Sequence, residues 1–159
     1  MPSRMRHHGG MFLRHPILSI ATFAYLAIVV WLTLTPMPSP NASGLLWDLA
    51  LFFERSTATE WLTFNTLEFL ANIAMFAPFG LFLVLLLGRR QWWLAILIGV
   101  GFTLAIELAQ QFIPNRVSDP RDIVANSLGT IVGTLFALVM TAAKARRLRK
   151  ARIVQRTAV

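Results

Sequence analysis

Four long apolar stretches constrain this 159-residue chain more than any other feature of its sequence. A helix that rises about 1.5 Å per residue needs about 20 apolar residues to cross the hydrocarbon core of a bilayer, which is about 30 Å thick. The four predicted spans are Pro16 to Thr35, Leu67 to Leu87, Trp92 to Phe112 and Asp122 to Ala143. They occupy about half of the chain and leave no room for a separate soluble domain. The sequence therefore predicts an all-α polytopic membrane protein, built as a four-transmembrane-helix bundle.

The composition supports the membrane-protein class and excludes several kinds of catalytic and metal site. The chain is 56% hydrophobic and has a mean hydropathy of +0.61, which is too apolar for a soluble domain of this length. Cysteine is absent, which excludes disulfides, thiol nucleophiles and thiolate metal sites. The three histidines, His7, His8 and His15, all precede the first span. Histidine-dependent triads and zinc sites are therefore excluded from the opposite side of the membrane.

Charge is divided between the two sides of the predicted membrane. All 7 acidic residues lie between Asp48 and Asp122, and of the 15 basic residues only Arg55, Arg116 and Arg121 share their side. The other basic residues precede the first span, separate the second from the third, or follow the fourth. This pattern follows the positive-inside rule and predicts that both termini are cytoplasmic. It favours membrane lipids over nucleic acid as the partner of the +8 net charge.

The chain divides into a basic tail over residues 1–15, a membrane domain over residues 16–143 and a second basic tail over residues 144–159. A cleaved signal peptide is the alternative for the first span, but its apolar run of about 20 residues exceeds the about 7–15 typical of such a peptide. Between the first two spans, the segment Leu45 to Glu54 is too short and too charged to cross the bilayer. It predicts an outer interfacial helix. The second tail predicts a partly amphipathic helix from Lys144 to Arg156.

Polar side chains recur in three of the spans. They are Glu68 and Asn72 in the second span, Glu107, Gln110 and Gln111 in the third, and Asp122 and Asn126 in the fourth. Residues three or four apart lie on one face of a helix, so each set shares a face. Counted from Trp92, Glu107 lies about 22 Å along its helix, in the outer third of the bilayer. The sequence therefore predicts one polar cluster, at one depth, on the side away from the cytoplasm.

Glu107 is the most informative of these residues, because a charge in the middle of a transmembrane helix costs about 2.5–3.5 kcal/mol. Its carboxylate must face protein or water, be neutralised or be paired, and the predicted loop directly above it carries Arg116 and Arg121. A cluster of this kind could hold a cation, a sugar or peptide headgroup, or a phosphate. We predict no metal site and no resident cofactor, although carboxylate oxygens could hold Mg²⁺ or Ca²⁺.

Structural roles compete with functional ones at several of these positions. Asp119 before Pro120 is typical of a helix N-cap followed by a proline at the first helical position. Interhelical hydrogen bonds are the structural alternative for three amides, Asn72, Gln111 and Asn126. Gly129 and Gly133, four residues apart, predict a close-packing helix face rather than a ligand contact.

The same residues carry a family resemblance. The first block reads Asn72-x3-Phe76-x-Pro78-x-Gly80, and the second reads Glu107-x2-Gln110-x5-Arg116-x2-Asp119-x2-Asp122-x3-Asn126-x2-Gly129-x3-Gly133. From about Glu68 to Gly133 the chain resembles the VanZ-like family of small bacterial membrane proteins. The resemblance implies a four-helix protein of the bacterial cytoplasmic membrane, and the family's namesake is associated with low-level resistance to teicoplanin, a lipid-tailed glycopeptide. The implied site residues are Glu68, Asn72, Glu107, Gln110, Arg116, Asp122 and Asn126.

Three functions of different classes remain open. The first is binding or protection at the outer leaflet, where the polar cluster engages an envelope lipid, a lipid-linked cell-wall precursor or a lipoglycopeptide. The second is an intramembrane hydrolase or transferase that acts on an envelope lipid and uses carboxylates as acid and base. No established catalytic signature supports it. The third is a structural or assembly protein, in which Gly129 and Gly133 form the face of a homo-oligomer.

Overall fold

The computed structural model describes residues 16–35, 44–114 and 118–157, and from residue 147 onward it describes the backbone alone. The helices in these ranges are α1 (Pro16–Leu34), α2 (Leu45–Phe53), α3 (Phe64–Leu87), α4 (Trp92–Gln110) and α5 (Pro120–Thr157), and a 3₁₀ turn, Arg89–Gln91, joins α3 to α4. No strand occurs within these ranges, so the predicted all-α class is confirmed. The basic tail predicted over residues 1–15 lies outside the described residues.

Four of these helices are long and apolar enough to cross a membrane. The qualifying segments are α1, α3, the range Arg89–Gln110 that contains α4, and Pro120–Arg146 of α5, with mean hydropathies between 1.9 and 2.3. They confirm the four predicted spans. α1 and α4 end where α3 and α5 begin, and we call this end of the bundle the polar end. The opposite end carries Arg89, Arg90 and Lys144, and we call it the basic end.

The bundle differs from a soluble protein in having an apolar exterior. Large apolar side chains cover its outside; Trp31 and Val139, for example, are each 67% exposed. Within the described residues, the buried polar and charged side chains are Ser19, Thr22, Thr33, Thr103, Glu107, Gln110, Asn126, Thr130 and Thr134. The hydroxyls of Thr22 and Thr33 donate to the backbone carbonyl four residues earlier in the same helix. Such a continuous apolar exterior suits a lipid environment and not water.

α3 and α5 form the most extensive contact of the bundle, and they run parallel. Gly129 packs against the backbone of Ile73, and Gly133 packs against that of Ala77 one turn later. A Cβ atom at Gly133 would lie 2.7 Å from the carbonyl carbon of Ala77 and still closer to its oxygen. Small residues are what allow two transmembrane helices to approach this closely. The glycine face predicted from the sequence is therefore filled by α3 of the same chain.

α5 is one continuous helix that extends well past the predicted end of the fourth span. It has 38 residues and is thus about 57 Å long, almost twice the about 30 Å of a hydrocarbon core. The helix predicted from Lys144 to Arg156 is present, but it continues the span without a break. The bundle therefore projects a helical extension from its basic end.

A short helix is present between the first two spans, where the sequence predicts an interfacial helix. This helix, α2, contacts α3 and buries Ala50, which is 2% exposed. Its N-terminal residue Leu45 is 75% exposed, and Asp48 is also exposed. α2 therefore has a packed face and an open face, while its location at the membrane surface stays a prediction.

Gly88 closes α3 in a backbone conformation that favours glycine. Its φ is 88° and its ψ is 157°, and its N–H donates to the carbonyl of Val84 at 2.8 Å. A non-glycine residue in this region costs about 1–3 kcal/mol. We expect Gly88→Ala to lower the thermal midpoint of the detergent-solubilised protein, measured by tryptophan fluorescence. Gly101→Ala is the control. A Cβ atom at Gly101 meets open space, as it does at Gly88, but the φ of Gly101 is not positive. Equal midpoints for the two variants would contradict the prediction.

Candidate functional site

A cavity of about 210 Å³ lies at the polar end of the bundle, and all five helices line it. Six of the side chains predicted from the sequence line this polar cavity: Glu68, Asn72, Glu107, Gln110, Asp122 and Asn126. α1 contributes Leu32 and Thr33, and α2 contributes Leu46. The structure thus gathers polar residues that are distant in the sequence around one cavity.

Glu107 is a carboxylate with one oxygen partnered and the other open. Its side chain is 3% exposed. The hydroxyl of Ser118, just before α5, donates to Oε2 at 2.6 Å. Oε1 is buried and has no hydrogen-bond partner within the described part of the chain. Ser118 therefore holds one oxygen of the carboxylate from the segment before α5.

The amides of Gln110 and Asn126 follow the same pattern. Gln110 Nε2 donates to the backbone carbonyl of Thr33 at 2.9 Å, which links α4 to α1. Asn126 Nδ2 donates to the hydroxyl of Thr103 at 2.8 Å, which links α5 to α4. In both residues the side-chain oxygen is buried and lacks a partner among the described residues. The NH₂ groups thus join helices, and the oxygens remain as unused acceptors.

Three residues that line the polar cavity have a buried side-chain oxygen without a hydrogen-bond partner among the described residues: Glu107 Oε1, Gln110 Oε1 and Asn126 Oδ1. A buried polar group that lacks its hydrogen bond costs about 1–3 kcal/mol, so such groups need an explanation. All three are acceptors, so the group that satisfies them must be a donor. The cavity therefore has the chemistry to bind a ligand, or water, that brings several N–H or O–H groups.

The described side chains that line the polar cavity include acidic residues and no basic ones. Three of its residues are carboxylic acids, Glu68, Glu107 and Asp122, and no described lysine or arginine lines it. Asn72 Nδ2 donates to Asp122 Oδ1 at 2.8 Å and so ties α3 to α5. In the part of the chain that the structure describes, no group of three His, Cys, Asp or Glu side chains is arranged to hold a metal ion.

Four residues that the sequence predicts as site residues or as partners of Glu107 do not line the polar cavity or cannot be placed in it. Gln111 is exposed just beyond the end of α4. Asp119 caps α5, since its Oδ1 accepts the backbone N–H of Arg121 at 2.8 Å. Arg121 itself, predicted as a partner of Glu107, is exposed and does not line the cavity. Arg116, the other predicted partner, lies outside the described residues.

Two contributors to the site were missed by the sequence analysis. Thr33 contributes its backbone carbonyl, a group that every residue has, so no side-chain pattern could indicate it. Ser118 binds Glu107 from the loop before α5, where no helical spacing relates the two residues. The only sequence signal for Ser118 is its position next to the capping residue Asp119, and that signal indicates a helix start and not a site.

Comparison with known proteins adds the family. The VanZ/LLP1 family model matches residues 22–141, which is about three quarters of the chain. No curated protein and no solved structure matches the chain. The matched range begins in α1, ends in α5 and includes every residue that lines the polar cavity. The chain, which has four helices long and apolar enough to cross a membrane, therefore belongs to the VanZ/LLP1 family.

Proposed function

We propose that the polar cavity binds the headgroup of an envelope amphiphile, and that through this binding the protein protects the bacterial envelope against lipoglycopeptides such as teicoplanin. The observation that supports the proposal is that three residues lining one cavity, Glu107, Gln110 and Asn126, each have a buried oxygen without a partner among the described residues, and that two further carboxylic acids line the same cavity. A headgroup that carries an ammonium group or several hydroxyls supplies donors for these acceptors.

The proposal includes the orientation of the protein in the membrane. Basic residues flank the ends of the spans opposite the polar cavity, and the positive-inside rule directs such residues to the cytoplasm. Both termini are then cytoplasmic, and the cavity opens towards the outer leaflet of the cytoplasmic membrane. Amphiphiles of the envelope are concentrated at this depth, so a headgroup reaches the cavity while its tail stays in lipid.

Teicoplanin fits this scheme because it is a lipid-tailed glycopeptide. Its tail places it in the leaflet where we locate the polar cavity. A glycopeptide without such a tail, such as vancomycin, lacks that route of approach. The proposal therefore predicts selective protection against the lipid-tailed drug.

An enzymatic function is the second candidate, because Glu107 and Asp122 share one cavity and carboxylates in unlike environments can act as acid and base. Glu107 is buried, whereas Asp122 is half-buried and accepts the amide of Asn72. A hydrolase or transferase acting on an envelope lipid would release a labelled product on repeated turnover. A binding protein would hold the same lipid unchanged.

We expect Glu107→Gln to abolish protection while leaving the fold intact, because the amide has the same shape but no negative charge. Loss of a charge-assisted hydrogen bond costs about 1.5–3 kcal/mol, which weakens headgroup binding by about ten-fold or more. The measurement is the teicoplanin and vancomycin susceptibility of a glycopeptide-sensitive bacterium that expresses wild type or variant at matched membrane levels.

Glu60→Gln is the matched control, because Glu60 is exposed between α2 and α3 and does not line the cavity. We expect protection against teicoplanin, but not vancomycin, from wild type and Glu60→Gln, and none from Glu107→Gln. Equal protection by all three proteins would remove Glu107 from the function. Absence of protection by wild type would overturn the teicoplanin role.

A further inference from the structure

A second and larger recess lies at the opposite end of the bundle, between α3 and α5. It has a volume of about 620 Å³, within the range of about 300–1,000 Å³ usual for ligand sites. We call it the basic-end groove. Leu81 and Leu85 of α3 form one wall, and Phe136 and Met140 of α5 form the other. Lys144 stands at its end.

The walls of the basic-end groove are apolar and open to the surroundings of the protein. Phe136 is 58% exposed and Met140 is 54% exposed. Thr141 also lines the groove, but its hydroxyl donates to the carbonyl of Ala137 at 2.6 Å. Its polar group is therefore satisfied inside its own helix. A long apolar chain fits the walls, and the Lys144 ammonium is the one polar donor that they leave for a ligand.

Lys144 has no counter-charge within the described part of the chain. Every acidic residue lies at or before Asp122, 22 positions earlier, which is about 33 Å back along α5. The Lys144 side chain is exposed, and the groove residue Met140 lies one helical turn before it. An unpaired ammonium group thus stands one turn, about 6 Å, beyond an apolar channel. This spacing matches a molecule whose hydrocarbon chain ends in an anionic headgroup.

We propose that the basic-end groove is a binding site for an anionic phospholipid, with one acyl chain between α3 and α5 and the phosphate on Lys144. Lipid chains cover any apolar surface of a membrane protein, so the apolar walls alone do not define a site. The charge at the groove's end defines it, because it favours an anionic over a zwitterionic headgroup with the same chains. Arg89 and Arg90, exposed in the turn after α3, add positive charge at the same end. This site is distinct from the polar cavity and does not depend on its function.

Native mass spectrometry of the full chain, released from detergent, tests the proposal. The protein is titrated with phosphatidylglycerol and, separately, with phosphatidylcholine of identical acyl chains. One basic residue near a headgroup favours an anionic lipid by about five-fold. We expect wild type to bind one phosphatidylglycerol at least about five-fold more tightly than phosphatidylcholine, and Lys144→Gln to lower this preference by about five-fold.

Arg146→Gln is the matched control, since Arg146 is exposed two residues further along α5 and does not line the groove. It should keep the preference for phosphatidylglycerol. Leu85→Trp fills the groove from α3 and should weaken the binding of both lipids. The proposal is overturned if wild type shows no preference, or if Lys144→Gln keeps it. It is also overturned if Arg146→Gln loses the preference as fully as Lys144→Gln, or if a second copy of the chain occupies the groove and excludes lipid.

Discussion

Replacing Gly133 with alanine is expected to lower the thermal midpoint of the protein by about 6–12 °C. The added Cβ atom would lie 2.7 Å from the carbonyl carbon of Ala77 and 2.9 Å from the backbone nitrogen of Leu81. Both are backbone atoms, so no side chain can turn away, and α3 and α5 must separate. Overpacking of this severity lies at the upper end of about 1–3 kcal/mol. About 3 kcal/mol corresponds to about 6–12 °C for a chain of 150–250 residues.

Gly101→Ala is the matched control for this prediction. Gly101 also lies inside a helix, but a Cβ atom there meets nothing within 4 Å. Alanine is favoured over glycine in a helix by about 0.5–1 kcal/mol, so this variant should keep or slightly raise the midpoint. Thermal unfolding in detergent, followed by tryptophan fluorescence, compares the two variants with wild type. If Gly133→Ala were as stable as Gly101→Ala, the contact between α3 and α5 could not be as close as the structure shows.

Filling the polar cavity should abolish protection against teicoplanin as completely as removing its charge. Ala71 of α3 is half-buried and lines this cavity. In Ala71→Phe the ring enters existing space and leaves every polar residue in place. We expect the protein to reach the membrane at the wild-type level and to be thermally stable, while susceptibility returns to that of cells without the protein. The measurement is again teicoplanin susceptibility at matched expression.

The same helix provides the control for this variant. Ala74 is exposed, three residues beyond Ala71, so a phenyl ring there faces the lipid. Ala74→Phe should protect as well as wild type. Protection by Ala71→Phe would mean that no headgroup needs to enter the cavity, and the proposed function would fail even if Glu107→Gln were inactive. Loss of protection in both phenylalanine variants would assign the effect to α3 as a whole.

The spans could be predicted from the sequence because a run of about 20 apolar residues has few alternatives to crossing a bilayer. Their ends were less predictable. α3 begins at Phe64 instead of Leu67, because Thr63 caps it and accepts the N–H of Thr66 at 3.4 Å. α5 continues past Ala143, because alanine, lysine and arginine favour helix in water as well. Hydropathy locates the edge of the membrane, whereas capping and propensity set the end of a helix.

In the candidate site, too, some features could be predicted from the sequence and others could not. Counting residues along the helices predicts that polar side chains from three spans lie at one level, and six of those side chains line the polar cavity. The choice between Gln110 and Gln111 could not be made in this way. At about 100° per residue, Gln110 lies about 60° to one side of Glu107 around the helix axis, and Gln111 lies about 40° to the other side. Only the packing of α1, whose Thr33 carbonyl accepts the Gln110 amide, turns Gln110 inward.

The pairing of α3 with α5 has a consequence for how the protein is made. Helices that follow one another across a membrane are antiparallel, so two parallel neighbours cannot be consecutive, and here α4 separates them. While the chain leaves the ribosome, α1, α3 and α4 enter the lipid before the helix that carries Gly129 and Gly133 exists. The contact between α3 and α5, the most extensive of the bundle, can therefore form only after the last span has been made.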